Sequence, residues 1–255
     1  MFFCSTDRTA LTFSPAVWYS EKNRKRTVPF MKNEFVFTRE APMLGSLSAF
    51  VTLPTGFAPG DEKPPVIVFL HGAGEAGDGS PEELPLVHRH GIPKYFGADA
   101  DYQGLHAITV SPQCPKGFIW DQITLQLKDF LDSVVAVYGG DPTRVSVTGI
   151  SMGGFGTWNL LTTYPEAFYR AAPICGGGVP WRVKETLRGK PIRVYHSIDD
   201  PSVPYECSVL MAKRARAAGA EIEFTTYCAE GHGCWDRAYE EGDLIEWLAG
   251  AKRNL

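Results

Sequence analysis

A serine hydroxyl is a weak nucleophile until a base takes its proton, and that base needs a third group to fix its tautomer. The chain offers these side-chain types at defined places. Ser151 sits in Gly149-Ile150-Ser151-Met152-Gly153-Gly154, directly after the apolar run Val145-Ser146-Val147-Thr148 and ahead of a helical pattern. Glycines at 149 and 153 leave room in a turn too tight for side chains, as a strand-to-helix elbow that lifts a serine Oγ above a sheet edge requires. A glycine-rich packing turn shares this local pattern, so the downstream partners decide; a phosphate loop is excluded because no Gly-Lys-Ser/Thr follows. Asp199 and Asp200 follow the run Ile192 to Tyr195, in His196-Ser197-Ile198-Asp199-Asp200-Pro201-Ser202-Val203-Pro204. His232 lies between Gly231 and Gly233, beyond the run Ile222 to Tyr227. Serine, acid and histidine in this order, each just past a separate strand, make a constellation for acyl transfer. The Asp-Pro-x-Val-Pro arrangement favours Asp200 as the acid facing His232, with Asp199 as the alternative.

An acyl-transfer site also needs two donors for the developing oxyanion. One is the Met152 backbone N–H, next to the nucleophile at a helix N-terminus. The other belongs in the loop after the run Val66 to Leu70, which reads His71-Gly72-Ala73-Gly74-Glu75; Ala73 N–H is the first choice and Gly74 the second. His71 and His196, at strand ends, read as structural or mouth residues, and His88, His90 and His106 as residues of a surface helix or loop. Cys228 and Cys234 flank His232 without a fourth metal ligand, and the six cysteines contain no Cys-x-x-Cys pair. No metal, cofactor or disulfide framework is expected.

The elements that must position these residues follow from the spacing of apolar runs. Two β-like segments, Glu34 to Thr38 and Ser46 to Leu53, precede short runs at Val66 to Leu70, Ala107 to Val110, Val145 to Thr148, Ala171 to Ile174, Ile192 to Tyr195 and Ile222 to Tyr227, each suited to a strand buried on both faces. Helical patterns lie between them. Leu127, Phe130/Leu131, Val134/Val135 and Tyr138 mark one face of a helix; others start after Ser151, span about Tyr205 to Ala218, and run from about Arg237 to Lys252. Strands alternating with helices predict an α/β fold with a mostly parallel central sheet of about eight strands flanked by helices. Ligands then belong at the carboxyl ends of the strands, where the candidate residues fall. The stretch from Cys175 to Pro191 is too short for a large helical lid. The mouth is expected to be shaped by Gly72 to Tyr102 with Trp120; Trp120, Trp181 and Trp235 are candidate substrate-binding side chains for an aromatic acid or a sugar, with buried packing as the alternative for each. Residues 1–33 read as an N-terminal arm and 34–255 as one catalytic domain.

Composition narrows the partners. The 255 residues carry 25 Lys and Arg against 29 Asp and Glu, a formal charge of −4, with no basic excess to neutralise a phosphate backbone, so nucleic acid is not expected. No apolar stretch is long enough for a membrane-spanning helix, and Asp7 and Arg8 interrupt any apolar signal run at the N-terminus; the expected location is the cytoplasm, with secretion as the alternative.

Five strings carry a resemblance: Val68-Phe69-Leu70-His71-Gly72-Ala73-Gly74-Glu75, Ser111-Pro112-Gln113-Cys114-Pro115, Gly149 to Trp158, Pro173 to Gly178, and Gly231-His232-Gly233-Cys234-Trp235-Asp236. With them the chain resembles α/β-hydrolases of the phospholipase/carboxylesterase-like group ("predicted peptidases"), relatives of feruloyl esterase and polyhydroxybutyrate depolymerase domains. The resemblance implies Ser151, Asp200 and His232 as triad and Ala73 with Met152 as oxyanion hole. It departs at His196-Ser197, where the group usually has His-Gly, and in the arm. It implies a serine esterase acting on a small-molecule or polymer-attached ester, feruloyl and acetyl esters among them. A serine peptidase with the same triad and a non-catalytic ligand-binding hydrolase fold are the alternatives.

Overall fold

The computed structural model describes residues 33–57, 61–96 and 106–250. The chain divides into two units, Met1–Phe30 and Met31–Leu255. The arm expected over residues 1–33 lies, apart from residue 33, outside the described residues, as does part of the mouth segment expected to end at Tyr102.

Eight strands form one sheet: β1 Glu34–Ala41, β2 Gly45–Thr52, β3 Val66–Leu70, β4 Ile108–Pro112, β5 Val145–Ile150, β6 Arg170–Ile174, β7 Pro191–Ser197 and β8 Glu221–Tyr227, in the order β1-β2-β4-β3-β5-β6-β7-β8. The first two form an antiparallel hairpin, paired from Glu34↔Thr52 to Ala41↔Gly45. β2 runs antiparallel to β4, and β3 to β8 are mutually parallel. The helices are α1 Ile92–Phe96, α2 Thr124–Tyr138, α3 Met152–Thr163, α4 Tyr205–Ala217, α5 Trp235–Glu240 and α6 Leu244–Leu248.

Side chains alternate across a strand, so a strand covered on both faces must be apolar throughout. Every residue of β3 is buried. Its Val66, Val68 and Leu70 join Leu127, Phe130 and Val134 of α2, Trp158 of α3 and Met211 of α4 in one apolar layer. Ile67 and Phe69 join Ile92 of α1, Ala238 of α5 and Leu244 and Leu248 of α6 in the other. The periodic face expected of α2 is the buried one, and the helix ends at Gly139, whose φ of 73° suits glycine. One helix was expected from Arg237 to Lys252. The structure instead has two short ones, because Gly242 between them takes a φ of 105° and Asp243 turns to bind Arg193 Nη1 at 2.7 Å. Among the described residues no helix is long and apolar enough to cross a membrane.

Candidate active site

The loops after β3, β5, β6, β7 and β8 meet at the carboxyl edge of the sheet. Ser151 joins β5 to α3 with φ 52° and ψ −118°, a conformation that costs a residue with a Cβ. Its N–H is held by the Ile174 carbonyl at 3.1 Å and lies 3.3 Å from Cys175 Sγ. The elbow is closed by backbone on backbone. A Cβ on Gly153 would sit 1.8 Å from the Leu70 carbonyl oxygen, and one on Gly149 would sit 2.4 Å from the Gly153 carbonyl oxygen.

His232 lies in a single helical turn, Gly231–Gly233, beyond β8. Its Nε2 is 2.9 Å from Ser151 Oγ, and its Nδ1 is 2.7 Å from Asp200 Oδ2. Asp200 is fully buried at its side chain. Burial alone would push its carboxyl up, but hydrogen bonds from His232 and from the Val203 and Ser202 backbone N–H groups outweigh it, holding the group below the ordinary carboxylate range. Asp200 is therefore an anion and accepts only. The His232 proton belongs on Nδ1, leaving the Nε2 lone pair facing the serine hydroxyl. Asp199 points elsewhere: its Oδ1 accepts from Ser197 Oγ and from Gly231 N, tying the turn after β7 to the loop that carries His232.

Ala73 opens a tight helical turn, Ala73–Glu75, directly after β3, and Met152 is the first residue of α3. Amides in first helical positions have no acceptor within their own helix, and the α3 dipole adds positive potential there. Beneath Ala73, His71 is fixed in one tautomer. Its Nε2 accepts from Cys114 N at 2.9 Å, so Nδ1 carries the proton and donates to the Gly72 carbonyl at 2.6 Å. Burial lowers this imidazole to about 4, so it is a neutral prop.

The tryptophans divide. Trp120, expected at the mouth, is instead buried at 1% exposure, where its Nε1 donates to the His71 carbonyl at 3.0 Å. It anchors the loop after β3 and is not available to a ligand. Trp181 is 82% exposed, beside Arg182, which binds Asn159 Oδ1 on α3 at 2.8 Å. Trp235 stands edge-on to His232, ring centroids 5.3 Å apart, and to His90 at 5.4 Å. His88, expected at the surface, is half-buried, its Nε2 2.9 Å from Glu34 Oε1 and its ring stacked on Phe50 at 4.2 Å. Cys175, singled out by no sequence pattern, brings its Sγ into a group with donor atoms of Asp200 and His232, all within 4.8 Å of one another. The acid and the imidazole already use those atoms on each other, and burial pushes the Cys175 thiol well up, so it stays protonated beside the elbow.

A model of the Esterase family matches residues 42–200, well over half of the chain. The chain belongs to the Esterase family. Its structure is similar to that of a thermostable esterase, with a TM-score of 0.77 and 32% identity over 88% of this chain and 64% of that one. It is also similar to a ferulic acid esterase at a TM-score of 0.63, 19% identity, and 87% and 97% coverage. In sequence it is 47% identical over 53 residues to poly(3-hydroxyalkanoate) depolymerase C of Paucimonas lemoignei, a stretch making up 21% of this chain and 13% of the depolymerase. The chain thus spans less than two thirds of the thermostable esterase and a small part of the depolymerase. The chain is an α/β-hydrolase in fold, as its sheet order and flanking helices show.

Proposed function

We propose that the esterase hydrolyses carboxylic esters through an acyl-serine intermediate, with Ser151 as nucleophile, His232 as base and then acid, and Asp200 as the group that holds the imidazole. The observation that carries this reading is the bridge His232 makes between Ser151 Oγ at 2.9 Å and Asp200 Oδ2 at 2.7 Å. His232 Nε2 takes the hydroxyl proton as Oγ bonds to the ester carbonyl carbon, and the carbonyl electrons move to oxygen. Ala73 and Met152 N–H receive that oxyanion. Collapse breaks the bond to the alcohol oxygen, which takes the proton from His232. A water then gives a proton to His232 and its oxygen to the acyl carbon, releasing the acid and restoring Ser151.

Only two single helical turns, Pro180–Arg182 and Glu185–Leu187, cross the segment between β6 and β7, so the mouth there has no large lid. That openness supports bulky or polymer-attached esters, with Trp181 and Trp235 beside the acyl or alcohol group. The catalytic unit we assign is residues 34–255. Turnover of a panel of p-nitrophenyl acyl esters, a feruloyl ester, an acetylated sugar and a peptidyl arylamide tests the reading, together with fluorophosphonate labelling. Ester turnover and labelling, both lost in Ser151→Ala, are expected. Arylamide turnover as fast as ester turnover would make it a peptidase, and an unlabelled Ser151 would leave a binding fold.

A further inference from the structure

His196 is the last residue but one of β7 and is completely buried at its side chain, as is Asp200 four residues on. Its Nε2 faces two groups, the Val203 carbonyl at 3.0 Å and Asp200 Oδ2 at 3.2 Å. Both are acceptors only, so Nε2 carries a proton whatever the charge of the ring. Its Nδ1 is 2.7 Å from Ser208 Oγ on α4, and that oxygen is 2.7 Å from the Gly176 carbonyl beyond β6. Tyr205 packs edge-on against the imidazole at 5.7 Å. Val203 is held twice over, because its N–H also donates to Asp200 Oδ1 at 2.9 Å.

We infer that His196 is a positioning residue: its Nε2–H, shared between the Val203 carbonyl and Asp200 Oδ2, locks the turn after β7 and sets how strongly Asp200 holds His232. Oδ2 is also the oxygen that accepts from His232 Nδ1. A second donor at that oxygen draws off part of its charge, so removing the donor strengthens the hold of Asp200 on a protonated His232. The charged and titratable groups facing His196 are Asp200 from its own turn and His232 from the loop after β8; α4 contributes Ser208 and Tyr205. The inference rests on the triad reading proposed above.

The test compares His196→Gln, whose amide N–H reaches the Nε2 position, with His196→Asn, whose amide reaches only Nδ1, and with His196→Leu. Each is assayed for kcat, KM and the acid limb of kcat/KM on a p-nitrophenyl ester that the wild type turns over. Leu and Asn are expected to lose about 10- to 100-fold in kcat, as when a partner that orients a functional group is removed, with KM changed less than about twofold. Their acid limb moves to higher pH by about half a unit or more. Gln keeps kcat within about threefold and the wild-type limb. If Leu does not fold, the Gln and Asn pair carries the comparison. Gln behaving like Asn, or a loss of kcat with an unmoved acid limb, overturns the inference. A wild type that neither turns over esters nor reacts with a fluorophosphonate fails the triad reading instead.

Discussion

Gly153→Ala adds one methyl group next to the nucleophile, and the structure gives it nowhere to go. The new Cβ would lie 1.8 Å from the Leu70 carbonyl oxygen, 2.5 Å from the Leu70 carbonyl carbon and 2.8 Å from the His71 carbonyl oxygen. A carbon–oxygen contact settles at about 3.3 Å, so α3 and the end of β3 must part by about 1.5 Å. All three obstacles are backbone, and no rotamer change relieves them. Overpacking of this kind costs about 1–3 kcal/mol, read as a fall of about 2–10 °C in melting temperature for a domain of this size. The segment that must move leads straight into Ala73, one of the two proposed oxyanion donors, while α3 carries the other at Met152. A displacement of about 1 Å in such a group costs on the order of 100-fold in rate, so kcat should fall at least that far while the protein remains folded. Gly233→Ala is the control. Gly233 adjoins His232, yet a Cβ there meets nothing within 4 Å, and both stability and kcat should stay within about twofold of wild type. Calorimetric melting and steady-state turnover of a p-nitrophenyl ester measure both quantities. A Gly153→Ala variant with wild-type melting and more than a third of wild-type kcat would refute the steric account of the elbow.

Asp200→Asn should leave the fold intact and lower kcat about 10⁴-fold, because the amide favours the His232 tautomer that points a proton at Ser151; a loss below tenfold in steady-state turnover would remove Asp200 from its role. His71 is lowered by burial to about 4 while an unfolded imidazole titrates near 6.5, so between these values only the unfolded chain binds the extra proton. Its stability contribution is complete above pH 6.5 and is lost by roughly 3 kcal/mol as pH falls to 4; urea midpoints should show this fall in wild type and a smaller one in His71→Asn, and equal falls would refute it. Trp181→Ala should change stability by less than about 0.5 kcal/mol, since the ring is 82% exposed, and should raise KM severalfold for bulky aryl esters but not for acetate; equal effects on both would take Trp181 out of the substrate's path.

The strands and the three central side chains were legible because both rest on local rules. A strand buried on both faces needs an unbroken apolar run, as at Val66–Leu70 and Val145–Ile150. A nucleophile on a sharp turn needs glycine at fixed offsets. What could not be read depends on the direction of a side chain in an irregular loop, where no period applies. Trp120 looks the same in sequence whether it faces solvent or donates to a carbonyl 49 residues away. Asp199 and Asp200 share one turn, and the choice between them is made by two backbone N–H groups, Ser202 and Val203, that capture one oxygen of Asp200 and turn the other to His232. The single helix expected near the C-terminus failed for a related reason: glycine inside a helical pattern is tolerated or not according to tertiary partners, and here Asp243 pairs with Arg193 beyond the break.

Ser151 and Cys175 are both non-glycine residues held at positive φ, 52° and 40°, at the ends of adjacent strands. Each such residue costs about 1–3 kcal/mol and persists only where its surroundings leave no alternative. Here the surroundings are main chain. Ser151 N–H binds the Ile174 carbonyl, Gly153 abuts the Leu70 carbonyl, and Gly154 and Gly176 approach each other so closely that a Cβ on Gly176 would lie 2.5 Å from the Gly154 carbonyl carbon. The proposed nucleophile is therefore set by backbone contacts that side-chain substitution elsewhere barely reaches. Trp181, on the single turn between β6 and β7, is held by no such contacts, since its ring is 82% exposed. Variation in this chain should accordingly alter which of the proposed ester substrates enter the mouth long before it alters the proposed chemistry at Ser151.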